Sequence, residues 1–369
     1  MVKCNDYSSS FVEQSVREAV NLLGGIDKFI KPNSRVLIKP NLLTAKGPES
    51  GIVTHPEVVR AAIHLLKGVN AKIYVGDSPS PWYGDTRQIE KIWEISGIKK
   101  VAEQEKVELV RFNQSRWHGK FPLTTWLSRV DYLVSLPKFK THNITILTGA
   151  IKNLFGLIPG LYKIELHKRF FSSKIFARML VDLYEIVCPT LTIIDGVFAL
   201  EGDGPGSKGE VRELGLIAAG NDCVSIDSIL ALIMGLKPEE ILTTREAAKR
   251  NLGNARIEDI QLLGKQLSSF QGECFKLPAT ALQYRVSKPI AELVSRFIYF
   301  YPHIDSRLCS RCSACIKVCP QGVIKQRNDG EITIDYPGCI SCFCCQEICP
   351  NAAINIRRSL IAKLLRLHY

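Results

Sequence analysis

The chain has 369 residues, 46% of them hydrophobic, enough for one large core and a smaller second unit. Its formal charge of +12 points to an anionic partner: a phosphorylated or carboxylated small molecule, an acidic redox protein, nucleic acid or a lipid surface. It opens MVKCNDYSSS with no apolar leader, and no stretch approaches the ~18 apolar residues of a membrane span. A cytoplasmic protein without a transmembrane segment is therefore expected.

Amphipathic helical patterns and short apolar runs alternate over residues 1–264. A helix is predicted over 11–23, a strand over 35–39 (RVLIK), a helix over 56–67, a strand over 71–77 (AKIYVGD) and a helix over 86–105. Strands over 107–112 (VELVRF) and 130–136 (VDYLVSL), a helix over 174–187, and strands over 190–195 (TLTIID) and 214–219 (LGLIAA) follow. Helices over 224–234 and 238–250 close the series. The alternation predicts an α/β domain with a doubly wound, mainly parallel sheet.

Ligands of such sheets sit beyond the carboxyl ends of the strands. Lys39 and Asn41 (KPN), Asp77 and Ser78 (GDSP), Lys138, Lys140 and His142 (PKFKTH) and Asp195 land there, with Glu201 and Asp203 just beyond in EGDGPG. Each alone reads better as turn chemistry than as a site. Their shared edge makes them a candidate crevice, and its lysines, with the basic stretch KIELHKRFFSSK (163–174), suit an anionic substrate. That stretch reads equally as a solvated helix face. GPGSKG (204–209) spells a dinucleotide fingerprint but joins a polar loop to another strand, so it is read as a loop. No phosphate-loop run exists, and His55, His118, His142 and His167 lack a metal-binding spacing. Cys4, Cys188, Cys223 and Cys274 stand apart from one another, and Cys188 and Cys223 read as core residues.

Residues 265–302 read as a connector, in which KPIAELVSRFIYFYP suggests a helix clamped on the main domain. The last residues, 357–369, predict a basic amphipathic helix with Leu360, Ile361, Leu364 and Leu365 on one stripe. Such a helix docks on its own protein or lies peripherally on a membrane.

Nine of the thirteen cysteines lie between Cys309 and Cys349, as a repeat. Cys309, Cys312, Cys315 and Cys319 precede Pro320, and thirty residues later Cys339, Cys342, Cys345 and Cys349 precede Pro350. Each half reads C-x2-C-x2-C-x3-C-P, the spacing of paired [4Fe–4S] clusters, in which the fourth cysteine of each half serves the other cluster. The assignment is Cys309, Cys312, Cys315 and Cys349 to one cluster and Cys339, Cys342, Cys345 and Cys319 to the other. Cys344 fits no frame and is surplus. Structural zinc sites usually space their C-x2-C pairs a dozen or more residues from each other, so the spacing favours iron–sulfur. Residues 303–356 thus resemble a bacterial-type two-cluster ferredoxin domain of α+β fold.

VLIKPNLL, THPEVV, GDSP, LPKFKTH, TGAIKNLFG, IIDG and EGDGP occur in that order between about residues 35 and 230. Together they resemble the domain of unknown function 362 family, whose members often carry a C-terminal ferredoxin domain. The resemblance adds Lys152 and Asn153 to the candidate site and ties in Thr54 and His55. Two function classes follow. In one, an oxidoreductase relays electrons through its clusters to an anionic small molecule. There Lys39, Asn41, Lys138, Lys140, Lys152, Asn153 and Glu201 bind substrate, and His142, His55, Asp77 and Asp195 take the catalytic roles. In the other, an electron carrier or assembly factor uses the large domain to hold a protein partner. A redox partner protein is expected in both. Scattered basic residues without interleaved aromatics argue against nucleic acid.

Overall fold

The computed structural model describes residues 1–79, 86–160, 162–281 and 299–359. The large sheet is built from β1 (Val2–Lys3), β2 (Arg35–Pro40), β3 (Lys72–Val75) and β4 (Glu108–Leu109). A separate hairpin, β5 (Ser115–His118) and β6 (Phe121–Thr124), precedes the rest of it. These are β7 (Tyr132–Leu136), β8 (Lys138–His142), β9 (Ile146–Thr148), β10 (Leu191–Gly202) and β11 (Gly209–Gly220). Spatial order is β1-β11-β10-β7-β2-β3-β4, with β8 alongside β10 and β9 alongside β8. The pairs from β10 through β7, β2 and β3 to β4 are parallel, whereas β11 is antiparallel to both β10 and β1. The predicted parallel character therefore holds for the sheet's centre and stops at β11, which returns from β10 through a hairpin.

Side-chain alternation splits each central strand between two cores. Val36 and Ile38 of β2 pack with α1 (Ser9–Leu22), α2 (Pro56–Lys67), α3 (Thr86–Ile95) and α4 (Ile98–Glu105). Leu37 between them faces the other core, which holds α5 (Ala150–Asn153), α6 (Tyr162–Arg169), α7 (Ser173–Val187), α8 (Cys223–Ile233) and α9 (Leu242–Lys249). Ile193 and Ile194 of β10 divide in the same way. Helices thus cover both faces, as the doubly wound reading requires. The predicted helix over 86–105 is two helices, broken at Ser96–Gly97. Cys188 is exposed at the end of α7, not in the core as expected, while Cys223 is buried.

The boundary at residue 264 is corrected by packing. Phe270, Phe275, Leu277, Ala279 and Ala281 are buried in the same core as α7 and α8, and Phe275 stacks on Phe139 of β8 at 5.4 Å. Backbone groups tie the segment down as well: Gly202 N donates to Lys276 O at 2.7 Å, and Ala279 N to Asp203 Oδ1 at 2.7 Å. Residues 265–281 therefore complete the α/β domain. The helix expected across KPIAELVSRFIYFYP lies outside the described residues up to position 298, and its last residues, Phe300–Pro302, are strand and not helix. Removing one buried phenylalanine costs about 3–5 kcal/mol. Residues 1–264 alone should consequently be molten or insoluble, and residues 1–281 should unfold cooperatively. Equal near-ultraviolet circular dichroism from the two fragments would refute this boundary.

A smaller region holds β12 (Phe300–Ile304), α10 (Ala314–Val318), β13 (Ile324–Gln326), β14 (Ile332–Ile334), α11 (Cys344–Ile348) and β15 (Ile354–Arg358). β12 pairs antiparallel with β15, and β13 with β14. The sequence repeat is also a backbone repeat: Arg311 and Ser313 sit at φ 57° and 60°, and Ser341 and Phe343, thirty residues on, at 51° and 56°. Non-glycine residues seldom adopt such angles, so two matched pairs mark a duplicated loop. Arg357 and Arg358 belong to strand β15 and not to the expected terminal helix; residues 360–369 lie outside the described residues. No helix among the described residues is long and apolar enough to cross a membrane.

Candidate functional site

The polar residues predicted at the strand ends separate into an inner cluster and a cavity. β8 continues the line of β7 past Pro137, and alternation puts Lys138, Lys140 and His142 on one face of it. Lys138 Nζ donates to Asp195 Oδ2 at 3.0 Å and to the Tyr7 hydroxyl at 2.6 Å, and Tyr7 donates on to Asp195 Oδ1 at 2.6 Å. The third partner of Asp195 is the His55 backbone N–H at 2.8 Å. His55 itself caps α2, its Nδ1 accepting from Glu57 N, and it stacks on Tyr7 at 3.7 Å. Lys138 and Asp195 are wholly buried. This inner cluster is satisfied internally, which makes it a fastening between β8, β10 and the chain's first residues.

The cavity lies beyond β2 and β3. It measures about 50 Å³ and is lined by Lys39, Lys140, Lys152, Lys163, Asp77 and Glu347, with Asn41, Thr148, Asn153 and His167 among the rest. Lys39 Nζ sits 2.8 Å from Asp77 Oδ1 and 3.0 Å from Asn153 Oδ1. Gly156 is obligatory here: a Cβ would lie 2.2 Å from Asp77 Oδ1 and 2.5 Å from Lys39 Nζ. Lys140 Nζ donates to Ile52 O at 2.7 Å, and Lys163 Nζ to Ser78 O. Burial lowers the pKa of Lys39, Lys152 and Lys140, the last well below the usual lysine value, and takes Lys163 to about 7.

The wall facing these lysines comes from the cysteine-rich region. Glu347 of α11 reaches His142, with Oε1 3.1 Å from Nε2, a close approach whose angle departs from a well-directed hydrogen bond. His142 Nδ1 accepts from Ile144 N at 3.0 Å, so the ring proton sits on Nε2. Burial and the adjacent Lys152 hold His142 near pKa 4, and it is neutral at neutral pH. Burial raises the Glu347 carboxyl, but His142 and Lys152 outweigh it and hold the group at about 2. Around this contact, Asn143 Nδ2 donates to Gln346 Oε1 at 3.3 Å, Gln346 Nε2 to Asp203 O at 2.9 Å, and Lys46 Nζ to Pro350 O at 3.0 Å. Gly206 abuts α11 so closely that a Cβ would lie 2.7 Å from Glu347 O.

Behind α11 the thiols gather into two groups. Cys309, Cys312, Cys315 and Cys349 line a cavity of about 20 Å³ sheathed by Ile304, Ile332 and Ile354. Cys319, Cys339, Cys342 and Cys345 line another of about 20 Å³ beside Pro302, Val323 and Ile324. Each group draws three thiols from one loop and the fourth from the other half. Among the described residues, no three His, Cys, Asp or Glu side chains converge closely enough to hold a single metal ion. Four soft thiolate donors held apart around an apolar hollow suit an iron–sulfur cube better than one zinc ion. Cys344 lines neither hollow; it is buried, next to Cys342 and within electrostatic reach of Lys152.

The structure thus brings Lys39, Asn41, Asp77, Lys140, Lys152 and Asn153 to one cavity, with His142 against its Glu347 wall. Lys138, Asp195 and His55 stand apart in the inner cluster. Glu201 stands further off, paired with Arg212 at 3.0 Å and accepting from Lys276 N. Sequence reasoning missed Tyr7, Thr148 and Glu347 as members of these clusters, and took in Lys163 and His167 only as part of a basic stretch. Lys163 and His167 do sit four residues apart on one helical face, which was a usable signal. Glu347 gave none, being an acid inside a metal-binding repeat. His167 stacks on Phe176 at 4.6 Å and burial takes it to about pKa 3, so it acts as packing.

Comparisons with known proteins bear on both regions. A family model described as "Domain of unknown function (DUF362)" matches residues 36–231, and a "4Fe-4S dicluster domain" model matches residues 301–350. The "Thylakoid-associated protein sll1697" of Synechocystis is 34% identical over 260 residues, covering 69% of this chain and 78% of that protein. The lactate racemase apoprotein of Thermoanaerobacterium thermosaccharolyticum superposes at a TM-score of 0.36 with 12% identity, covering 60% of this chain and 54% of that one. That likeness is too slight to bear on fold or chemistry.

Proposed function

Since the chain belongs to the DUF362 family and ends in a 4Fe-4S dicluster domain, we propose that it is an iron–sulfur oxidoreductase acting on an anionic small molecule in the strand-end cavity. In this reading the two thiol quartets hold two [4Fe–4S] clusters in a ferredoxin-type module, and the clusters supply electrons one at a time. The observation that carries the reading is Glu347. It lies two residues beyond Cys345 on α11, and its carboxylate forms a wall of the cavity. Lys152 and Lys140 would meet the anion's charge, Asp77 fixes Lys39, and His142 Nε2 keeps a proton beside Glu347. Cys312 is exposed, which suits the approach of a redox partner protein at the first quartet. None of the thirteen cysteines is joined in a disulfide, which suits a reducing compartment.

The test uses anaerobically reconstituted protein, reduced, desalted and mixed with a panel of anionic oxidants. At least one should restore the oxidised visible spectrum, and Lys152→Gln with unchanged iron content should slow that recovery about tenfold or more. Recovery only on adding a partner protein, at equal rates in both forms, would favour an electron carrier or assembly factor instead.

A further inference from the structure

The cavity contains two opposite demands. Lys152 has no hydrogen-bond or ion-pair partner among the described residues, and its Nζ lies 6.0 Å from the Phe155 ring centroid. With Lys39, Lys140 and Lys163 it makes four lysines against two acids, Asp77 and Glu347. The same lining also holds unmet polar oxygens. Asn41 Oδ1 and Thr148 Oγ1 are buried without a hydrogen-bond partner, and Glu347 Oε1 has only its misdirected contact with His142. Buried polar atoms left in this state each cost about 1–3 kcal/mol. A bare anion would answer the lysines and the Thr148 hydroxyl but leave Asn41 Oδ1 and Glu347 Oε1 unmet, repelling Glu347 besides. Water would answer the oxygens and leave the excess positive charge. One kind of ligand answers both demands.

We propose that the cavity binds a small oxyanion that carries its own hydroxyl, either a 2-hydroxy carboxylate of glycolate size or hydrogen phosphate. The anionic oxygens meet Lys152 and its neighbouring lysines. The O–H donates to Asn41 Oδ1 or Glu347 Oε1, and the Thr148 hydroxyl donates or accepts as the ligand requires. A volume of about 50 Å³ has room for about three to five non-hydrogen atoms, which admits either ligand. The proposal rests on the cavity being the ligand site of the preceding reading, and it narrows the ligand's class.

Isothermal titration of the full-length, cluster-loaded protein under anaerobic conditions at neutral pH tests it through two matched pairs. Glycolate should bind at least about tenfold more tightly than acetate, or hydrogen phosphate at least about tenfold more tightly than sulfate, which has no proton to donate at that pH. The pair that discriminates identifies the source. Asn41→Leu removes an oxygen that can only accept, so at an unchanged thermal midpoint it should shrink the discriminating ratio. Lys152→Gln should weaken both members of the pair alike. Equal binding of acetate and glycolate, and of sulfate and phosphate, would overturn the hydroxyl requirement and leave the anion site standing. If none of the four binds, both the proposal and the cavity's role as a ligand site fail.

Discussion

Replacing Cys345 with alanine should remove about four of the roughly eight iron atoms bound by the reconstituted protein, whereas Cys344→Ala should leave all of them in place. The two residues are neighbours on α11, both buried, and composition cannot tell them apart. Geometry can. Cys345 lines a hollow with Cys319, Cys339 and Cys342, and Cys344 lines neither hollow. Iron analysis and the reduced-state electron paramagnetic resonance spectrum of both variants decide the matter. Iron lost from Cys344→Ala and retained in Cys345→Ala would mean that the second quartet is framed wrongly.

Lys138→Gln should destabilise the protein by about 3–5 kcal/mol, among the largest effects of any single lysine in the chain. From sequence, strand-end lysines look solvent-facing, and exposed lysines contribute little to stability. The structure reverses that expectation, since the side chains of Lys138 and Asp195 are both at 0% exposure. Truncating the lysine leaves a buried carboxylate facing Tyr7 and a backbone N–H with no counter-charge. Lys152→Gln offers the contrast. It strands no ion-pair partner, so its cost should stay within about 1 kcal/mol even as ligand affinity falls. Thermal midpoints at one fixed scan rate, compared across wild type and the two variants, separate the roles. Similar midpoints for all three would show that the inner cluster is not a structural fastening.

The central strands were legible because their apolar runs are short, β-branched and bounded by Pro, Gly and Asp, as RVLIKP and TLTIIDG illustrate. β11 was placed but not oriented, because an apolar run carries no record of its direction when the hairpin before it is polar and long. The cysteine repeat was legible from spacing alone. Burial of Lys39, Lys138 and Lys140 was not, because a lysine at a strand end has the same letters whether the next layer covers it or not. That layer comes from distant parts of the chain: Tyr7 and Asp195 cover Lys138, while Asp77, Asn153 and Glu347 of α11 close in on Lys39 and Lys140. The division between the inner cluster and the cavity was hidden for the same reason. It depends on Tyr7 and Glu347, which lie 188 and 152 residues from Asp195 and reach it, or fail to, only in the folded chain.

The wall formed by Glu347 gives the cavity two owners. Its floor belongs to the sheet and its lid to the cysteine module, so any excursion that lifts α11 from Gly206 and His142 floods the lysines with water. Wetting would restore their ordinary basicity and spread the four ammonium charges into solvent. In the seated arrangement the quartet containing Cys345 stands behind the cavity's Glu347 wall. In the lifted one the cavity is open, but the thiols have moved away with α11. The wetting of the lysines and the position of the thiols are thus tied to one helix.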